Sequence, residues 1–291
     1  MKIRDILNKD TATISFEVFP PKKSTDFENV ETAALGIAAL QPAYMSVTYG
    51  AGGSTKGHTI ALAGEIQKKH NVPTVAHLTC VCADRSSIGA ALTEMQAAGI
   101  ENILALRGDI PKDFDGEVFT DFTHASDLVR FIKENGDFEV FAACYPEKHN
   151  EAKSVVEDIH NLKTKVDSGV STLLTQLFFS NDDFYRFKEA CELAKISVPI
   201  YAGIMPVANK RQVLKITSIS GAKIPPKFAK ILQKYENNDE AMINAGIAYA
   251  IDQIVDLLTN DVAGIHLYVS AFFRRFMWLI SSFHRSSLKN L

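Results

Sequence analysis

The sequence predicts a (β/α)8 TIM barrel, an α/β fold built as a single catalytic domain over residues 1–291, with extra helices before the last strand. Three observations predict it. Eight short runs rich in β-branched and aromatic residues alternate with longer stretches of helical periodicity. The first run ends in Pro20-Pro21, and no G-x-G-x-x-G follows it, so the doubly wound open sheet lacks its fingerprint. A chain of 291 residues, 46% hydrophobic and 22% charged, also has the length and the globular composition for one large barrel.

The elements follow in order. The strand run Ile14–Phe19 precedes a helical stretch at Asp26–Leu40, opened by Ser24, Thr25 and Asp26. Ala43–Thr48 precedes Thr55–His70, opened by Ser54 and Thr55. Such side-chain oxygens accept the unpaired amide hydrogens of a first helical turn. Next come Thr74–Thr79 with helix Ser86–Ala98, Asn102–Leu106 with His124–Glu134, and Glu139–Cys144 with Glu151–Ser168. Thr172–Phe178 leads to Asp182–Ala194, with Asn181 and Asp182 as its opening signal. Pro199–Gly203 leads to Val207–Ile219, and two more helical stretches, Pro226–Tyr235 and Glu240–Leu258, precede the strand Gly264–Val269. Gly99, Gly136 and Gly169 follow helical stretches, where left-handed caps are expected. A last stretch, Ala271–Arg285, carries Phe272, Phe273, Phe276, Leu279, Ile280 and Phe283 on a helical stripe.

A net charge of −3 excludes a global basic field for nucleic acid or an anionic membrane. The N-terminus is charged throughout, with no signal-peptide core, and no window approaches the roughly 20 apolar residues of a membrane span. Cys80, Cys82, Cys144 and Cys191 are read as buried free thiols, and the C-x-C of Cys80 and Cys82 lacks the second half of a zinc site. No metal is therefore expected, and the cytoplasm is the expected compartment.

Barrel sites lie at the C-terminal ends of the strands, and unusual polar residues fall there. Glu17 sits between aromatic residues and prolines, where desolvation raises a carboxylic acid's pKa and keeps a proton donor loaded. The bland reading is a partly buried acid paired with a lysine such as Lys22. Gly50-Ala51-Gly52-Gly53-Ser54-Thr55 is either a phosphate cradle or a flexible loop with an ordinary cap. His77 in its apolar strand is either a hydrogen-bonded core residue or a functional one. Arg107-Gly108-Asp109 is either a ligand-facing loop or a surface turn. Tyr145-Pro146-Glu147-Lys148-His149 follows the fifth run, and Asp158, Asn161 and Lys165 share one face of the next helix. Gln176, inside an apolar run, must find hydrogen-bond partners or meet a desolvation cost.

The strings SFEVFPPK, VTYGAGGS, HLTC, LALRGD, YPEKH, TQLFF and GIMPV, in this order and each at an expected strand end, resemble those of the methylenetetrahydrofolate reductase family from about Ile14 to Val207. That resemblance implies a flavin enzyme that takes electrons from NADH or NADPH and reduces 5,10-methylenetetrahydrofolate to 5-methyltetrahydrofolate, in one-carbon metabolism and methionine biosynthesis. Carried over by motif, Glu17 is the general acid and Asp109 lies near the flavin and pterin rings. Glu17, Gln176 and Tyr268 contact folate. FAD contacts fall on Thr48, His77, Leu106, Arg107, Gly108, Asp109, Ala143, Tyr145, His149, Asp158, Asn161 and Lys165. Homo-oligomers, and redox partner subunits for some members, also go with the family. The sequence departs from the family after the last strand. Tyr268 matches, but Ala271 stands where the family carries asparagine. Two other readings stay open: a folate-binding methyltransferase barrel that needs no FAD, and a partner subunit of the same fold without turnover.

Overall fold

The computed structural model describes residues 1–7, 12–20, 27–50, 56–110 and 115–268, without the side chains of 27–29. Eight parallel strands close into a barrel: β1 (Thr13–Val18), β2 (Tyr44–Val47), β3 (Thr74–Thr79), β4 (Asn102–Leu106), β5 (Glu139–Cys144), β6 (Thr172–Thr175), β7 (Ile200–Ile204) and β8 (Gly264–Tyr268). β8 closes on β1 with Phe16 opposite Leu267 and Glu17 opposite Tyr268. The described helices are α1 (Phe27–Ala38), α2 (Lys56–His70), α3 (Arg85–Ala97), α4 (Ala125–Asn135), α5 (Val155–Asp167), α6 (Asn181–Leu193), α7 (Lys210–Ser220), α8 (Pro226–Lys234) and α9 (Asp239–Thr259). The expected barrel is the observed one.

Strand alternation divides the side chains into two sets. Phe16, Val18, Met45, Val47 and their counterparts on the other strands face the helices and form the main core. The opposite set points into the barrel. At its floor, Tyr44, Val75, Leu104, Phe141, Leu174 and Tyr201 pack together with Ile3, which is fully buried. Burying each such side chain stabilises the fold by about 1.5–3 kcal/mol.

The sequence reading contained no element at the N-terminus. A short 3-10 turn, Ile3–Asp5, plugs the barrel floor there. Ile3 N donates to Asn102 Oδ1 at 3.0 Å, and Arg4 N donates to Glu139 Oε2 at 2.9 Å. Asn102 and Glu139 are buried polar residues at the first positions of their strands, so the plug satisfies them.

Of the extra helices, α9 packs on the barrel core through Ile247, Ala250 and Leu257, while α8 lies off the wall in a second cluster. Leu177 and Phe179 beyond β6, Met205 and Val207 beyond β7, Val213 of α7, Phe228 and Leu232 of α8 and Met242 of α9 form a second apolar cluster. This cluster makes a helical shoulder at the C-terminal face. Gly246 of α9 fits it closely, since a Cβ there would lie 2.0 Å from Val207 O.

Several expected boundaries move for local reasons. α5 starts at Val155 and not Glu151, because Ser154 caps it by accepting Glu157 N. β6 stops at Thr175 and not Phe178: Gln176 Oε1 accepts Leu177 N at 2.9 Å, and Leu177 and Phe179 turn into the shoulder. α7 starts at Lys210 and not Val207, because Asn209 Oδ1 accepts Gln212 N at 2.7 Å. Asn181 does not cap α6. Its Nδ2 reaches α9 instead, donating to Gln253 O at 3.0 Å and Asp256 Oδ2 at 2.7 Å. Gly136 is extended, with φ 177°, and not left-handed; a Cβ there would lie 2.5 Å from the Phe138 ring. Cys82 is half-buried, unlike the other three free thiols. Against the sequence reading, α9 is long and apolar enough to cross a membrane by length and composition. Here Met242, Ile247, Ala250 and Leu257 of α9 are buried in the protein. The glycine-rich residues 51–55, the opening signals at 24–26, Lys22 and the tail 269–291 with its expected helix lie outside the described residues.

Candidate functional site

One level above the floor, the barrel interior turns polar. Glu17 of β1 is 7% exposed. Its Oε2 lies 3.4 Å from His77 Nε2 of β3 and 3.7 Å from His266 Nε2 of β8. Ser46 Oγ of β2 donates to the same oxygen at 3.4 Å. Ser46 Oγ also meets His266 Nε2 at 3.1 Å, and Ser15 Oγ meets His266 Nδ1 at 2.8 Å. The partners of Glu17 are therefore imidazoles and a hydroxyl from three other strands.

Burial is the largest influence on the Glu17 carboxyl and pushes its pKa up. A hydrogen bond with His266, charge on His77 and His266, and the Ser46 hydroxyl outweigh burial and hold it below the usual value. This reverses the sequence expectation, which counted desolvation alone. Burial also holds the His77 pKa down to about 4. At neutral pH His77 is therefore neutral, and its share of the downward pull on Glu17 is absent.

Above this cluster the strand ends form a mouth. Thr48, Thr79, Leu106, Ala143, Gln176 and Tyr268 continue the inward-facing positions. Two polar atoms are buried there without a hydrogen bond: Thr79 Oγ1, and His77 Nε2, which faces Glu17 Oε2 at 3.4 Å without an aligned bond. Buried polar atoms are normally satisfied, so such a pair marks a place for a ligand. Tyr268 Oη donates to Thr175 O at 2.5 Å, and the ring lies over Gly203, where a Cβ would meet Tyr268 Cε2 at 2.7 Å.

The loops after β4 and β5 add charged side chains of both signs, Arg107 and Lys148 beside Asp109, Glu147 and Glu151. Gly108 has φ +88°, and a Cβ on it would lie 2.8 Å from Thr79 Cβ, so only glycine passes this turn. On either side, Arg107 is half-buried and Asp109 is exposed. Arg107 Nη1 and Nη2 donate to the two oxygens of Glu151 at 2.6 Å each, a bidentate pair that joins the two loops. Tyr145 packs edge-on against His149, with ring centroids 4.6 Å apart. His149 Nδ1 accepts Glu151 N at 3.2 Å, which leaves Nε2 to carry the proton of the neutral ring. Burial lowers the His149 pKa, which favours that neutral form. Asp158 of α5 accepts His149 N at 3.1 Å, and Lys165 Nζ donates to Ala143 O at 2.5 Å. Asn161 lies between them in sequence, on the exposed surface of α5.

The structure thus gathers the expected residues in two groups at one face. Glu17, Thr48, His77, Leu106, Ala143, Gln176 and Tyr268 line the barrel. Arg107, Gly108, Asp109, Tyr145, His149, Asp158, Asn161 and Lys165 lie on the adjoining loops and helix. Sequence reasoning missed Ser15, Ser46, Thr79, His266 and Glu151. Four of these were findable, because each stands two residues from an assigned one on the same strand face: Ser15 from Glu17, Ser46 from Thr48, Thr79 from His77 and His266 from Tyr268. Glu151 carried no such signal, because it pairs across loops 44 residues apart.

A parallel barrel with an acid–imidazole cluster inside its C-terminal mouth, and charged side chains on the neighbouring loops, is a barrel enzyme with its site at the usual face. The family model described as methylenetetrahydrofolate reductase matches residues 2–271, and the chain belongs to that family. It is 33% identical over 271 residues to a 5,10-methylenetetrahydrofolate reductase of Pectobacterium carotovorum, covering 91% of this chain and 90% of that protein. It is 34% identical to the Escherichia coli protein of the same description, with the same coverage. An Arabidopsis thaliana methylenetetrahydrofolate reductase (NADH) is 35% identical over 280 residues, covering 92% of this chain and 47% of the plant protein, about half its length. Among solved structures, a Clostridium thermocellum protein that binds two copies of 5-methyl-5,6,7,8-tetrahydrofolic acid matches with a TM-score of 0.63 at 13% identity, covering 93% of each chain. An oxaloacetate acetylhydrolase matches at 0.55 and 10% identity, covering 98% of this chain and 86% of the other. At these identities the two structures speak to the fold alone. The family is one of oxidoreductases, and its reaction is the reduction of methylenetetrahydrofolate.

Proposed function

We propose that this protein reduces 5,10-methylenetetrahydrofolate to 5-methyltetrahydrofolate with FAD as its bound cofactor and NADH or NADPH as electron donor. The observation that carries this is the mouth itself: a buried carboxylate 3.4 Å from His77, below His77 Nε2 and Thr79 Oγ1, which make no hydrogen bonds. These atoms, with the Arg107 and Lys165 cations beside them, fit a flat heterocycle with an anionic tail. Thr48, His77, Leu106 and Ala143 would flank the ring. Arg107, Gly108, Asp109, Tyr145, His149, Asp158, Asn161 and Lys165 would hold the rest. Arg107, Lys165 and the Nε2–H of His149 supply donors for phosphate oxygens. When bound, the flavin supplies the two-electron chemistry.

The protein supplies position and a proton. Gln176 and Tyr268 orient the folate, with Asp109 near the reacting rings. Glu17 delivers a proton to a nitrogen of the folate five-membered ring and so helps it open. A ligand covering the mouth removes the remaining water around Glu17. Burial then gains on the imidazole and hydroxyl contacts, and the carboxyl moves toward its protonated form. The same reading puts the protein in the cytoplasm as a homo-oligomer.

The test is the visible spectrum of the purified protein. A yellow protein bleached anaerobically by NADH or NADPH supports the reading and identifies the donor. A flavin that neither nucleotide bleaches points to a redox partner subunit. A colourless protein that takes up no added FAD refutes the reading and favours a folate-binding barrel that acts without flavin.

A further inference from the structure

The loop after β5, which carries Tyr145 and His149, is tied to the helical shoulder at two points. Asn150 Nδ2 donates to Ile219 O at 3.1 Å. Gly221, with φ +75°, leaves room for this contact, since a Cβ there would lie 2.2 Å from Asn150 Oδ1. The second tie is Glu147. Its Oε2 accepts Lys223 N at 2.7 Å, and its carboxyl also hydrogen-bonds Asp183 of α6, a contact between two acids that exists only while one of them keeps its proton and is lost when both ionise.

The charged groups around Glu147 come from three elements. Asp183 of α6 faces it with a second carboxyl, 15% exposed and paired with Arg186 at 2.5 Å. Lys223 faces it from the connection between α7 and α8. Lys148, in its own loop, turns away and donates to His149 O at 2.8 Å and to Ala152 O. Two carboxyls in a confined space resist double ionisation. Burial pushes the Glu147 pKa up to about 7, with Asp183 adding to the rise and the Lys223 amide and charge opposing it.

We propose that Glu147 is a positioning residue: as a neutral acid it holds the β5 loop, and with it Tyr145 and His149, against the shoulder, and on ionising it releases them. Its functional consequence rests on the FAD reading. The hold is fully present below the ordinary carboxyl pKa and is lost as pH rises through about 7. From roughly pH 6 to pH 8 the neutral fraction of such an acid falls about tenfold.

Two measurements on the full chain test this. The first is amide hydrogen exchange over residues 145–154 and 219–224, corrected for the intrinsic pH dependence of exchange. The second is the rate of FAD release, read from the fluorescence of free flavin. The wild type should lose protection in both segments between pH 6 and pH 8, and should release FAD several-fold to about tenfold faster at pH 8. Glu147→Gln, held neutral, should keep its protection and slow release across this range. Asp183→Asn, which removes the facing charge, should also flatten the profile. Equal pH profiles in the wild type and Glu147→Gln would overturn the proposal. If no FAD binds, the flavin reading fails, while the exchange measurement still decides the role of Glu147.

Discussion

Gly203 of β7 has to be glycine if Tyr268 is to close one side of the mouth. A Cβ added there would lie 2.4 Å from Thr175 O and 2.7 and 2.8 Å from Cε2 and Oη of Tyr268. Ordinary carbon contacts lie near 3.5 Å, so Gly203→Ala demands a shift of about 1 Å between β6 and β7 or displacement of the tyrosine ring. Overpacking of this kind costs about 1–3 kcal/mol, and loss of the Tyr268–Thr175 hydrogen bond adds about 1 kcal/mol. At about 2–4 °C per kcal/mol, the melting temperature should fall by roughly 4–16 °C. Thermal unfolding by circular dichroism reads the stability, and titration with a folate reads the mouth, where affinity should fall with the displaced ring. Repeating the substitution in a Tyr268→Ala background separates the two clashes. The ring clash disappears and the carbonyl clash remains, so the two substitutions should couple by about 1 kcal/mol. A wild-type melting temperature for Gly203→Ala, or strictly additive effects, would refute the reasoning.

The other predictions concern the acid cluster and the barrel floor. Glu17→Gln should leave flavin reduction by the donor intact and slow folate reduction about 100-fold or more, measured as separate half-reactions; unchanged folate turnover would remove Glu17 from its role. Burial depresses the His77 pKa from 6.5 to about 4, so the unfolded chain binds a proton in that window that the folded one refuses. Stability from this group is complete above about pH 6.5 and declines by about 3 kcal/mol as pH falls to 4, and His77→Gln should flatten that part of a urea-unfolding profile against pH. Ile3→Ala should cost about 2–5 kcal/mol by emptying the barrel floor, and a melting temperature equal to wild type would show that the plug is dispensable.

The strands were legible because alternation and helical periodicity are local properties. β3, β4 and β5 needed no correction, while β6 was read too long because Leu177 and Phe179 are as apolar as strand residues. Their apolar character serves the shoulder, a destination that local sequence does not record. The same limit explains the α6 start: Asn181 looks like a cap, but α9 offers its side chain two acceptors from more than 70 residues away. The N-terminal plug was invisible for a related reason, since Ile3 gains its burial only from side chains of strands that follow it.

By itself, the sequence determined the eight-fold barrel, the order of its strand-end strings and the family. Each depends on residue types at short spacing. Tertiary structure alone decided how Glu17 is held. Desolvation can be guessed from flanking aromatics and prolines, but the groups that oppose it, His266, Ser46 and, when protonated, His77, come from three other strands. Barrel closure sets β8 beside β1, and that is what brings His266, 249 positions away in the chain, to 3.7 Å from the Glu17 carboxylate. Coulombic and hydrogen-bond effects follow distance in space, and closure alone sets that distance.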